Sequence, residues 1–162
     1  MGLFSPARHY ITFASGLADW NFSCTCPRTL LRFSYMHLDE AQLRAVPDGG
    51  VLYTLPNGIA IVRRRKHEGQ ALSGLSRSAI ERQTNEINGA KFLPEINLRR
   101  IVEITVEVLL ENGAELGSNT SYNRVYQTPV GISRGRPVRG LWVVRSQNGR
   151  LAHGYPVDER DK

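Results

Sequence analysis

Two stretches of the chain carry side chains able to move protons. The segment WVVRSQNGRLAHGYPV sets His153 and Tyr155 two residues apart, and His67 follows the basic run Arg63, Arg64, Arg65 and Lys66. An imidazole, with an unperturbed pKa near ~6.5, serves as acid or base close to neutrality. A third group of residues is cationic: the connector SRGRPVRG supplies Arg134, Arg136 and Arg139, and a guanidinium fork can hold a phosphate by two hydrogen bonds. These are the types that RNA cleavage without a metal requires. A base takes the 2′-hydroxyl proton, an acid protonates the leaving 5′-oxygen, and cations surround the pentacovalent phosphate.

The expected assignment makes His67 one proton-transfer residue and His153 the other. Tyr155 would orient the phosphate or stack on a base, and Arg134 or Arg136 would stabilise charge. Lys66 would contact substrate, as would Arg124 and Tyr126 if the strand that carries them faces the same cleft. Each residue also has a plainer reading. His153 and Tyr155 would be packing residues on a half-buried strand, and His67 a solvated residue ending a charged strand. The Arg63–Lys66 run would be a solvated or RNA-tracking patch. His9 and His37 receive no role.

Other chemistries lack their signatures. The sequence holds no G-x-x-x-x-G-K-[ST] loop, no G-x-G-x-x-G and no G-x-S-x-G elbow. Four dispersed histidines and the pair Cys24 and Cys26 give no metal spacing. No cofactor and no metal is expected, and cysteines one residue apart are too close for an unstrained disulfide.

Several elements would position these residues. HLDEAQLRAV is a short helix capped by Asp39 and closed before Pro47. VLYTLPNGIAIVRRR is a hairpin about Asn57-Gly58. SRSAIERQTNEING is a helix with Ser78 and Glu81 as a capping box and Asn88-Gly89 as its stop. Residues 95 to 111 fit two patterns. Val102, Ile104, Val106 and Val108 alternate as in a strand, and β-branched residues favour that state. Glu95, Arg99, Glu103, Glu107 and Glu111 recur at every fourth position as on a helix, with Pro94 before them and Asn112-Gly113 after. Length and stop signals lead to helix.

SYNRVYQTPVGI reads as one strand running into the flexible basic connector. In the last hairpin Asn148-Gly149 fits a type I′ turn. That turn pairs Ser146 with Leu151, Val144 with His153 and Trp142 with Tyr155. Trp142, Val144, Leu151, His153 and Tyr155 then share one sheet face. Leu141, Val143, Arg145, Ala152, Gly154 and Pro156 share the other, where small residues let a helix lie close. Early helices and late strands predict an α+β fold, N-terminal helices packed on a C-terminal antiparallel β-sheet. Residues 1 to 35 lack sustained periodicity and read as an N-terminal extension to a single domain over 36 to 162.

With the elements in order, a likeness becomes visible. Phe92 and Pro94 precede a helix-like segment, a basic loop follows, then a strand ending Gly131-Ile132. The closing strand reads G-R-L-A-H-G-Y-P-V. This order, over roughly residues 60 to 157, resembles the metal-independent toxin ribonucleases grouped around barnase and EndoU. Those include C-terminal toxin domains of bacterial contact-dependent inhibition systems. Many end their last strand in Thr-Ala-Tyr-Pro; here His153-Gly154-Tyr155-Pro156 stands, with His where Thr is usual. EndoU-like members carry two histidines and a lysine, to which His67, His153 and Lys66 would correspond. The resemblance implies an endoribonuclease acting on tRNA or other cellular RNA in the cytoplasm of its target, delivered as part of a larger secreted toxin. It also implies an acidic immunity protein as neutralising partner.

Composition bounds these readings. The 162 residues suit one compact domain, and the mean hydropathy of -0.32 is not that of a membrane protein. No apolar run approaches the ~18 residues that span a bilayer, so no membrane partner is expected. Neither a secretion signal nor a myristoylation pattern is read at the N-terminus. The formal charge is +6 and the pI about 9.7, which favours a polyanion partner. A second class of function fits that charge equally: a non-catalytic basic α+β module that holds nucleic acid or an acidic protein. Whether His67 and His153 line one cleft with Arg134 or Arg136, or lie on opposite sides of the sheet, separates the two.

Overall fold

The computed structural model describes residues 37–86 and 89–161. The chain divides into two units, Met1–His37 and Leu38–Lys162. The expected extension over residues 1 to 35 lies outside the described residues, as does the proposed stop at Asn88. The second unit is α+β.

Helix α1, Glu40–Ala45, starts where Asp39 accepts a hydrogen bond from the Ala41 amide at 2.9 Å. Strands β1 (Val51–Thr54) and β2 (Ala60–Val62) form the first hairpin. Its loop is longer than a two-residue turn: the Leu55 amide donates to the Ile59 carbonyl, and only Gly58 adopts positive φ. Two 3-10 turns follow, Arg65–His67 and Gly69–Leu72. Helix α2 spans Arg77–Thr84 and is capped by Ser76, which accepts from the Ala79 amide. Ser78, expected to be the cap, lies inside the first turn. Ser76 takes the role because its backbone is still extended and its oxygen reaches the amide three residues on.

Helix α3, Leu98–Glu111, settles the ambiguous segment. Asn97 caps its first turn, and Gly113 at φ 62 follows its end. Leu98, Ile101, Val102, Ile104, Thr105, Val106, Val108 and Leu109 are buried. Burial on most of its circumference outweighs the mild β-preference of its valines and isoleucines, since tertiary packing dominates propensity. The remaining acidic stripe is latched by Arg99 and Arg100 to Glu103.

The remaining strands are β3 (Lys91–Phe92), β4 (Tyr122–Val125), β5 (Gly131–Ser133), β6 (Arg136–Val138), β7 (Gly140–Ser146) and β8 (Leu151–Val157). They form two sheets, β1-β2-β8-β7-β4 and β3-β5-β6. Two expectations are corrected. The large sheet is mixed: β2 runs parallel to β8, with Ala60 opposite Leu151 and Ile61 opposite Ala152. It also contains β1 and β2, which precede the long helix. The reason is the apolar run of β2, whose Ile59, Ile61 and Val62 are all buried; a strand buried on both faces needs a neighbour on each side. Secondly, 121–132 is not one strand feeding a flexible connector. Arg134 (φ 52) and Gly135 (φ 71) form the turn of a β5–β6 hairpin. Thr84 holds that turn, its carbonyl accepting from the Arg134 amide and its hydroxyl from the Gly135 amide.

The register of the last hairpin is the expected one: Trp142 opposite Tyr155, Val144 opposite His153, Ser146 opposite Leu151. Leu141, Val143, Arg145, Ala152, Gly154 and Pro156 are buried, and the alternate residues from Trp142 to Val144 and Leu151 to Val157 are half-buried. Helix α3 lies on the buried face so closely that a Cβ at Gly154 would stand 2.7 Å from Thr105 Oγ1. The tight fit leaves the opposite face of β8 to the rings of His153 and Tyr155.

Candidate active site

His67, His153 and Tyr155 come together. The His67 ring lies over Tyr155 at 4.7 Å between centroids with 13° between planes, and His153 stands 5.9 Å from Tyr155 and 6.3 Å from His67. His153 and Tyr155 share a face because they are two apart on β8. His67 reaches them because the parallel pairing of β2 with β8 carries the end of β2 alongside. There the 3-10 turn Arg65–His67 folds the imidazole in beside β8.

His67 is not the solvated strand end that the charge run suggested; only 2% of it is exposed. Its Nδ1 lies 2.8 Å from the Ala90 carbonyl. A carbonyl only accepts, so Nδ1 carries the proton, and in the neutral ring Nε2 is left as the acceptor. Burial pulls the His67 pKa down to about 4; the Ala90 bond opposes this, and Lys66, Lys91 and Arg64 add to the lowering. His153 also falls to about 4, first by burial and then through Arg64, His67 and Lys66. Burial raises the Tyr155 phenol. Near pH 7 the cluster therefore holds two neutral imidazoles and a protonated phenol.

Two of the cations around the histidines were not singled out in the sequence: Arg64 was one of a charged run, and Lys91 stood in no motif. Lys91 Nζ donates to the Lys66 carbonyl at 2.6 Å. Lys66 precedes His67, and Lys91 follows Ala90, so the two lysines flank the His67–Ala90 hydrogen bond. Arg64 shares the lining of a small cavity with His153 and Glu68. Lysines two dozen residues apart meet only once β3 is placed, which no local pattern announces.

Beside Tyr155 opens a cleft of about 230 Å³, whose lining includes Asn85, Glu86, Ser133, Arg134, Asp158 and Asp161. Neither histidine lines it; Tyr155 alone connects the ring cluster to the cleft. Arg134 is there, 3.6 Å from Asp161. Asp158 is held at about 2 by hydrogen bonds from Arg160. Arg139 donates to Glu159 at 3.0 Å, while Arg136 is exposed at the start of β6.

Arg124 and Tyr126 do not join this site. Arg124 pairs across β4–β7 with Leu141, which faces α3, so its guanidinium meets Glu111 at 2.9 Å and Glu107 at 3.7 Å. Tyr126 lies under that guanidinium, its centroid 4.8 Å away, and burial pushes its phenol up to about 12. They belong to the opposite face because β4 meets β7 in a register that puts even-numbered residues of β4 toward the helix.

Among the described residues, no group of three or more His, Cys, Asp or Glu side chains sits where it could hold a metal ion. No described helix is long and apolar enough to cross a membrane. No family model matches the chain, and neither a curated protein nor a solved structure does.

Proposed function

We propose that this domain is a metal-independent endoribonuclease. The observation that carries the reading is the convergence of His67, His153 and Tyr155 from distant parts of the chain, beside cations that pair with no carboxylate among the described residues. A packing role would require neither the neutral imidazole pair nor the surrounding positive charge.

In the proposed reaction His153, half-buried and neutral, takes the proton from a ribose 2′-hydroxyl. The 2′-oxygen bonds to the adjacent phosphorus, and the bond from phosphorus to the 5′-oxygen breaks. Tyr155, whose phenol keeps its proton, donates to that leaving oxygen or to the phosphate. The products are a 2′,3′-cyclic phosphate and a 5′-hydroxyl. His67, almost wholly buried, stacks on Tyr155 and positions it. The proton that His153 took returns through solvent to the Tyr155 phenolate, which restores both groups. Arg134, which lines the cleft with Tyr155, neutralises charge on the strand that enters there.

The likeness to the barnase and EndoU group extends the reading. On that basis the substrate is tRNA or another cellular RNA, the site of action is a target cell's cytoplasm, and the chain is the toxic part of a delivered protein. Its neutralising partner would present an acidic face. A binding module without catalysis is favoured by one observation, the near-complete burial of His67.

The deciding experiment incubates the purified chain with total tRNA in EDTA. Discrete fragments ending in 2′,3′-cyclic phosphate are expected, with loss of cleavage in His153→Ala and Tyr155→Phe. RNA that binds and stays intact would replace the ribonuclease by the binding module.

A further inference from the structure

The cations of this domain are not equally available. Near the Tyr155 cleft each arginine from the C-terminal region that could meet a phosphate, Arg136 apart, already has a carboxylate. Arg134 pairs with Asp161, Arg139 with Glu159, and Arg160 with Asp158. Arg63, one residue before Arg64, is fully engaged as well. It makes a double hydrogen bond to Glu68 and donates to the carbonyls of Arg44 and Val46. Around the turn that bears His67 the pattern reverses. Arg64, Lys66 and Lys91 make no ion pair with any carboxylate among the described residues. Glu68, which lines the small cavity with Arg64, is taken by Arg63.

Lys91 is also oriented. Its ammonium donates to the Lys66 carbonyl, which ties it to the turn that presents Lys66 and His67. Three positive charges therefore sit around one short turn without a carboxylate partner among the described residues, in a chain whose formal charge is +6. Like charges gathered in this way raise the free energy of the folded state, and an external anion removes that cost.

We infer that Arg64, Lys66 and Lys91 form a binding site for a phosphate group of single-stranded nucleic acid, beside His67 at the turn that follows β2. This rests on the ribonuclease reading for its place in catalysis, though not for its existence. It adds a second phosphate contact to the one expected at Arg134. The carboxylates on Arg134 and Arg139 would have to be displaced first, whereas an anion at Lys66 and Lys91 displaces none among the described residues. The site also accounts for how neutral imidazoles could gain protons in a complex. An anion there offsets the cations that oppose histidine protonation, so His153 would titrate nearer its ordinary value when phosphate is bound.

The test uses the whole chain and two probes that cannot be cleaved, inorganic phosphate and a 2′-deoxy hexanucleotide. Binding is followed by the ring proton resonances of the histidines and by fluorescence anisotropy. The expected result is saturable binding with the His153 titration displaced upward. A Lys66→Gln, Lys91→Gln double variant should weaken the hexanucleotide about tenfold at low salt. It should also reduce the slope of log affinity against log salt by about 1.4, at ~0.7 per cation for a single strand. Arg64→Gln, which leaves the lysine turn intact, should weaken binding on its own. Arg150→Gln, an exposed cation in the distant β7–β8 turn, controls for net charge and should bind as the parent does.

Equal weakening by Arg150→Gln would overturn the site in favour of diffuse charge. Polyglutamate binding as tightly as the hexanucleotide, with no response to inorganic phosphate, would overturn it in favour of an acidic protein face. Phosphate bound at the lysines without RNA cleavage would leave this site standing and remove the ribonuclease. Cleavage that ignores both lysine substitutions would do the reverse.

Discussion

Lowering the pH from about 7 to about 5 should destabilise this domain through its two buried histidines. His67 ionises at about 4 in the folded chain and near ~6.5 when unfolded. Between those values the unfolded chain binds more protons, so stability is complete above the upper value and is lost as the pH falls toward the lower. The full shift corresponds to about 3 kcal/mol, and roughly 2 kcal/mol of it is gone by about pH 5. His153 carries a similar shift, but protonating one ring opposes protonating the other, so the two losses combine less than additively. Urea midpoints at about pH 7 and pH 5, at constant ionic strength, measure the loss in the parent chain and in His67→Gln and His153→Gln. Each single variant should lose less stability over that interval, by up to about 2 kcal/mol, and the double variant should be nearly flat. Histidine ring protons titrating near ~6.5 in the folded chain, or a double variant as acid-sensitive as the parent, would refute the reasoning.

Other outcomes come from the packing and the site. Gly154→Ala puts a methyl 2.7 Å from Thr105 Oγ1 and should cost about 1–3 kcal/mol by thermal or urea unfolding. Arg63→Met strands Glu68 and two carbonyls and should cost about 3 kcal/mol or more. Asn97→Ala removes the α3 cap, with a loss of about 1 kcal/mol. Tyr155→Phe should unfold like the parent while lowering kcat for RNA at least tenfold, and the acid limb of kcat/KM in the parent should fall near the imidazole value of about 4.

What could be read in advance depended on sequence separation. The last hairpin was legible to the individual pair because Asn148-Gly149 fixes register across a handful of residues. The Gly154 face was legible because period two does the rest. Helix α3 needed its punctuation, since its valines argued for a strand until burial decided. The β5–β6 hairpin escaped because its turn places Arg134, rather than Asn or Asp, at positive φ. Arg124 and Tyr126 were assigned to the wrong face for a different reason: the side a residue of β4 takes depends on its register against β7, which no turn links to it directly. Lys91 was invisible for the same reason, as its contact with Lys66 depends on β3 reaching the turn after β2. The convergence of His67 with His153 could be posed as a question from sequence, but only the parallel β2–β8 pairing answers it.

That pairing has a consequence for how the domain comes to be made. Parallel neighbours drawn from residues 60 and 151 close a long loop, and loop closure of that kind raises contact order and slows folding. During synthesis the turn bearing His67 leaves the ribosome well before its partner strand exists, so the ring cluster cannot assemble until β8 has emerged and docked. The rings are thereby tied to closure of the whole loop from residue 60 to residue 151, so any folding species without a docked β8 also lacks the stacked cluster.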